Sequence, residues 1–259
     1  MRSDGTTLYI EGSSPLHSHH PFGKLALVLL TGVMVYCAPG GWIPDAAMLA
    51  LIIILTAASG IFPAVWKFAL RTILPLSLFM LPIHGFLNPD NHTPLLTWQS
   101  MTLYREGLLF AGMILLQLTT IITASLIFVF TTHPADLLSA LKNTGCPPSL
   151  AYLFGSPLLM LPAMRTRINT IQSAQRSRGL DSDGNILKRI RALGPLVAPL
   201  VLGAFSEIEQ RAIALELRGF RSQCKQTSLR EVPDSKTQQI LRWLMVLTAL
   251  LLLLYKVVC

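Results

Sequence analysis

Charge is scarce in this 259-residue chain: 13% of its residues are Asp, Glu, Lys or Arg, against roughly a quarter in a soluble domain. With 52% of residues hydrophobic, that scarcity excludes a wholly water-solvated globule and points to a bilayer as solvent. The four cysteines, Cys37, Cys146, Cys224 and Cys259, share no CxxC or metal-ligand spacing, so free thiols are expected. A Gly-x-x-x-x-Gly-Lys-Ser/Thr loop is missing, and with it the phosphate cradle of a nucleotide-driven motor. Gly-x-Ser-x-Gly, His-Glu-x-x-His and paired carboxylates within an apolar run are missing too, which argues against a membrane-embedded hydrolase. Catalytic residues and a cofactor are therefore not assigned.

Histidine is sparse and scattered. The cluster His17-Ser-His-His20 carries imidazoles suited to nickel, cobalt or zinc, yet no Asp, Glu or Cys joins it at ligand spacing. It reads as a flexible polar leader, and no metal site is expected. His84, His92 and His133 stand alone, without a nucleophile-base pair.

What the chain does have is long apolar runs: Leu25–Cys37, Ala46–Phe62, Phe68–Leu87, Gly107–Phe130 and Leu241–Val258. A helix needs about 20 residues to cross the hydrocarbon, so the simplest count is five spans, the first borrowing its neighbours to reach that length. The first 24 residues are polar, and the run from Leu25 lacks a small-x-small cleavage site, so a retained first span is expected rather than a signal peptide. The fold class is all-α, a polytopic membrane protein.

The formal net charge is +8, and its placement carries more information than its size. Lys24, Lys67 and Arg71 flank the first three spans on one face, while the Ala38–Asp45 turn opposite contains no Lys or Arg. By the positive-inside rule that basic face is cytoplasmic. The loop Asn88–Glu106 then falls outside, Thr131–Gln239 inside and Cys259 outside. Fifteen of the 21 Lys and Arg residues lie between Lys142 and Arg242. This gives three parts: 1–130 with four spans, 131–239 with cytoplasmic or interfacial helices, and 240–259 as the last span. The short run Lys188-Arg-Ile-Arg191 lacks interleaved aromatics, so lipid contact or solvation is expected and nucleic acid is not.

Within 131–239 the pattern predicts four helices: Pro134–Thr144, Pro148–Pro162, a third from Pro162 or Ala163 to Arg178, and Pro195–Arg218. The apolar stretches Leu150–Leu161 and Leu193–Phe205 are too short and too broken by Pro and Gly for confident spans. They are expected at the membrane surface or against the span bundle, with a re-entrant piece as the alternative for either. Arg221–Gln239 reads as a polar linker.

The segment contains an internal repeat. Ile171-Gln-Ser-Ala-Gln-Arg-Ser-Arg-Gly-Leu180 aligns with Arg211-Ala-Ile-Ala-Leu-Glu-Leu-Arg-Gly-Phe220 at a spacing of 40, matching Ala174, Arg178 and Gly179 with Ala214, Arg218 and Gly219. In each copy Gly stands where a left-handed residue ends a helix, so Arg should project from the last turn with Ala one turn before it. One such Arg is explained by the helix dipole. Two copies suit docking of forked donors into acidic or carbonyl-lined grooves of another protein.

With these motifs the chain resembles the transmembrane T component of energy-coupling factor (ECF) transporters, including that of cobalt-type systems. Other carriers are His20-Pro-Phe-Gly-Lys-Leu25, similar to the family's Pro-x-x-Lys-Leu entry to the first span, and Thr132-His-Pro-Ala-Asp-Leu-Leu-Ser-Ala-Leu141 followed by Gly145-Cys-Pro147. The family's signature is usually written Ala-Arg-Gly, whereas the triplets here are Ser177-Arg178-Gly179 and Leu217-Arg218-Gly219. The resemblance implies a non-catalytic scaffold in the bacterial cytoplasmic membrane. Its coupling helices would dock on ABC-type ATPase subunits and its spans would hold a separate substrate-binding S component for a vitamin or transition-metal ion. The rival reading, a stand-alone secondary transporter or permease, is weakened by the near absence of charge within the spans.

Overall fold

The structure is a computed structural model that describes residues 9–10, 12, 14–39, 41–87, 92–98, 101–180, 186–220, 222 and 234–258. The chain divides into two units, Met1–Cys146 with Arg230–Cys259, and Pro147–Leu229.

The first unit contains a short helix α1 (Pro15–Ser18), α2 (Pro21–Cys37), α3 (Trp42–Ala58) and α4 (Phe62–Leu87). A hairpin of β1 (Pro94–Trp98) and β2 (Met101–Tyr104) follows, then α5 (Arg105–Thr131), α6 (Pro134–Asn143) and, after the second unit, α9 (Lys236–Val258). Helices α4, α5 and α9 have 26, 27 and 23 residues and are apolar enough to cross a membrane. At 1.5 Å per residue these reach about 35–40 Å, more than the roughly 30 Å of hydrocarbon. Helices α2 and α3 are apolar but only 17 residues long, which makes up the five apolar helices expected.

Helix α5 is the centre of this unit and packs on α2, α3 and α4. Met48 and Ile52 of α3 meet Ala124 and Ile127 of α5 in one cluster, with Leu27, Val28 and Leu30 of α2 against it. Ile61, Val65 and Phe130 form another. The contact faces are built from small and hydroxylated residues: Ala69, Ala111 and Ala124 are fully buried, as are Thr31 and Thr120. Both of these hydroxyls are satisfied on their own helix, Thr31 by Leu27 O at 2.8 Å and Thr120 by Leu116 O at 2.8 Å. Helices without a hydrophobic drive between them associate in this way, by close backbone approach. The outer faces are the reverse, with Leu74, Leu78 and Phe79 of α4 exposed, as a lipid-facing surface should be.

Three sequence expectations change here. The leader is anchored: His17 Nδ1 pairs with Ser14 Oγ at 2.6 Å, its Nε2 with Ile10 O at 3.0 Å, and the His20 N–H donates to Gln238 Oε1 of α9 at 3.1 Å. His20 Nδ1 also caps α2 by accepting from Phe22 N, so imidazoles that look idle in sequence close helix ends. His133 does the same for α6, accepting from Ala135 N at 3.1 Å. Second, Asp45 lies in the first turn of α3 rather than in a turn and is only 2% exposed, where the positive helix end favours an acid. Gln117 of α5 donates to Val35 O of α2 at 3.3 Å. Third, the segment 88–106 carries a hairpin, which pairs backbone groups that a loop would leave to water. Among the cysteines, Cys37 and Cys146 are free thiols; Cys224, Cys259 and most of the linker Arg221–Gln239 lie outside the described residues.

Candidate functional site

The second unit is a pair of long helices, α7 (Pro148–Ser177) and α8 (Ile186–Leu217). Sequence reasoning splits the first at Pro162 and starts the second at Pro195, but α7 runs through Pro157 and Pro162, and α8 through Pro195 and Pro199. A proline inside a helix removes one N–H and frees the carbonyl four residues back. Pro199 frees Pro195 O, and Gln175 Nε2 of α7 donates to that carbonyl at 3.3 Å. The partner helix thus replaces the bond lost at Pro199, and the helix also continues through Pro195. The backbone of Lys188-Arg-Ile-Arg191 belongs to α8, while its side chains lie outside the described residues.

The helices run antiparallel. Tyr152 in the first turns of α7 stacks edge-on against Phe220 beyond α8, Arg167 meets Gly203 and Glu207 at mid-length, and Gln175 meets Pro195. As one partner residue advances along α7 the other retreats along α8.

Each helix ends in the same device. After α7 the Leu180 N–H donates to Gln175 O at 3.0 Å and the Gly179 N–H to Arg176 O at 3.0 Å, with Gly179 at φ 87°. After α8 the Phe220 N–H donates to Leu215 O at 3.0 Å and the Gly219 N–H to Glu216 O at 2.9 Å, with Gly219 at φ 66°. This pair of bonds is the Schellman motif, and it needs a left-handed residue at the position each glycine holds. Arg178 and Arg218 therefore occupy the cap position just before the reversal. Both are exposed, as are Ala174 and Ala214 one turn earlier, and among the described residues neither guanidinium has an ion-pair partner. Leu217, beside Arg218, is 84% exposed.

The structure does not bring the two triads together. Antiparallel pairing sends them to opposite ends, on the order of 35 Å apart along the pair at 1.5 Å per residue. Each end presents a cation beside a negative helix terminus, with small residues behind it, a shape that can insert into a groove lined by acids or carbonyls.

A network that sequence reasoning passes over lies between the ends. Arg167 Nη1 of α7 donates to Glu207 Oε2 of α8 at 2.6 Å and to Gly203 O at 3.2 Å. Arg211 donates to the other oxygen of Glu207. That hydrogen bond, with the two guanidinium charges, holds the Glu207 carboxyl below the usual carboxylate range, so it is ionised at neutral pH. The spacing of Gly203, Glu207 and Arg211 by four residues was the available sign.

Comparison with known proteins agrees in extent. A family model described as cobalt transport protein, CbiQ, matches residues 12–229. The energy-coupling factor transporter transmembrane protein EcfT of Acidaminococcus fermentans is 31% identical over 94% of this chain and 94% of its own. The proteins of that name from Macrococcus caseolyticus and Lactococcus lactis subsp. cremoris are 29% and 27% identical, covering 95% and 96% of this chain and 96% and 97% of theirs. The matched span includes both helix ends and the α7–α8 pair, and this chain belongs to the CbiQ cobalt transport protein family, as a relative of the transmembrane T components of energy-coupling factor transporters.

Proposed function

We propose that this chain is the scaffold and energy-coupling subunit of an ATP-driven importer, in which Arg178 and Arg218 each dock on an ABC-type ATPase subunit. The observation that carries the reading is the duplicated, left-handed-glycine helix end on two antiparallel helices. Two equivalent cationic tips at opposite ends of one pair suit two similar ATPase surfaces better than one. Ala174 and Ala214 leave room for the groove walls, and Gly179 and Gly219 hold the tips in place.

In this reading residues 1–130 and 240–259 lie in the bacterial cytoplasmic membrane, with the basic ends of the first three spans inside, and 131–239 is the coupling segment on that side. A separate S component binds the substrate, a vitamin or a transition-metal ion, and ATPase motion reaches it through α7 and α8. Hydrolysis belongs to the partner chains, because this sequence has no phosphate-binding loop. Co-expression with the ATPases and S component of the same bacterium, followed by purification through a tag on this chain, tests the assembly. Recovery of both partners is expected; recovery of neither contradicts the proposal.

A further inference from the structure

The bridge between α7 and α8 has a position that its partners alone do not reveal. Arg167 and Glu207 are 40 residues apart, the spacing of the internal repeat itself. Arg167 precedes Arg178 by the same 11 residues that separate Glu207 from Arg218. The two copies of the repeat are therefore tied at equivalent points, and each tip lies about 16 Å along its helix from the tie at 1.5 Å per residue.

The tie is more than one exposed ion pair, which alone would contribute little. Glu207 receives Arg167 from α7 and Arg211 from its own helix, and Arg167 also lies across the α8 backbone on Gly203 O. A Cβ at Gly203 would stand 3.5 Å from Arg167 Cζ, so the guanidinium lies in van der Waals range of the α8 backbone there. Tyr152 of α7 packs edge-on against Phe220 at 5.4 Å, a second contact along the pair.

We propose that Arg167 and Glu207 are the fulcrum of the coupling pair: they pin two equal arms at their midpoint, so that displacement of one Arg-Gly tip is delivered to the other. They are positioning residues, and the inference rests on the coupling role proposed above. It requires the two residues to act as one unit, so their losses should not add.

The test uses Arg167→Met, Glu207→Gln and the double variant in the complex with its ATPases and S component in vesicles, reading substrate uptake per ATP hydrolysed. A second reading comes from this chain alone in nanodiscs. Spin labels on Ser173→Cys and Ile213→Cys, with the four native cysteines replaced by serine, report the distance between the two arms. Each single variant should lower uptake per ATP at least fivefold and broaden the distance distribution at least twofold, with the double variant within twofold of either single. Copurified ATPase should stay within twofold of wild type. Unchanged uptake and a narrow distribution in both singles, or losses that multiply in the double, overturn the proposal. If Arg167→Met does not accumulate, Glu207→Gln carries the test alone, since it keeps size and removes the shared charge. Failure of the unaltered chain to recover ATPases would instead reject the coupling reading and leave the distance result standing.

Discussion

Lys24 Nζ donates to the Thr131 carbonyl at 2.8 Å, in a site where the lysine is 4% exposed. The same ammonium reaches His17 O at 3.4 Å. Thr131 is the last residue of α5 and Pro134 the first of α6. One cation thus closes the negative end of the central helix at the point where the chain leaves for α6, and ties the anchored leader to it.

Replacing Lys24 by Met removes that donor and leaves a buried carbonyl unpaired, a loss of about 1–3 kcal/mol. The expected fall in Tm is roughly 2–10 °C for a chain of this size. Lys24→Arg, which keeps charge and donors, should recover at least half. Thermal unfolding in detergent checks it, and equal Tm for Met and wild type would show that the contact does not stabilise the junction.

Gly179→Ala and Gly219→Ala put a Cβ on left-handed backbone at φ 87° and 66°, a cost of about 1–2 kcal/mol each. The last turn of the affected helix should fray and the neighbouring Arg lose its fixed direction. Hydrogen exchange of the amides of 179–180 and 219–220 should quicken roughly 5- to 30-fold, while the amides of α5 should not change.

Acid should loosen the leader. Burial lowers the pKa of His17 and of His20, the latter against the opposing pull of Asp234. A base with a depressed folded pKa supplies stability above its unfolded pKa of 6.5, and this is lost as the pH falls through the folded value. Proteolysis within residues 9–20 should therefore speed up as the pH falls below 6.5. His17→Gln with His20→Asn keeps a good N-cap and removes both titrations, and its cleavage rate should vary less with pH over that window.

The helix ends were legible because their cause is local. A Gly after a run of helix formers allows few other backbone outcomes, and the repeat at 40 residues doubles the signal. The five apolar helices were legible for a similar reason, through run length. Contacts between elements were not. The carbonyl that Pro199 frees is served by Gln175, on another helix. His17 and His20 look like solvated polar residues until Ile10 and Gln238 come to meet them. Asp45 stands beside a turn in sequence, and only packing against α5 reveals it as buried. Arg167 carries no local mark at all; its meaning comes from a partner one repeat away.

The central claim is that Arg178 and Arg218 are the points of force transfer, and the most direct measurement is the affinity of the reconstituted membrane subunits for their ATPases with Arg178→Ala, Arg218→Ala and both. Each removes a charge-assisted contact of about 1.5–3 kcal/mol, which is roughly a 10- to 150-fold rise in Kd per site. The double variant should retain the S component but neither bind the ATPases stably nor take up substrate. Wild-type ATPase affinity and ATP-driven uptake in that double variant would contradict the account.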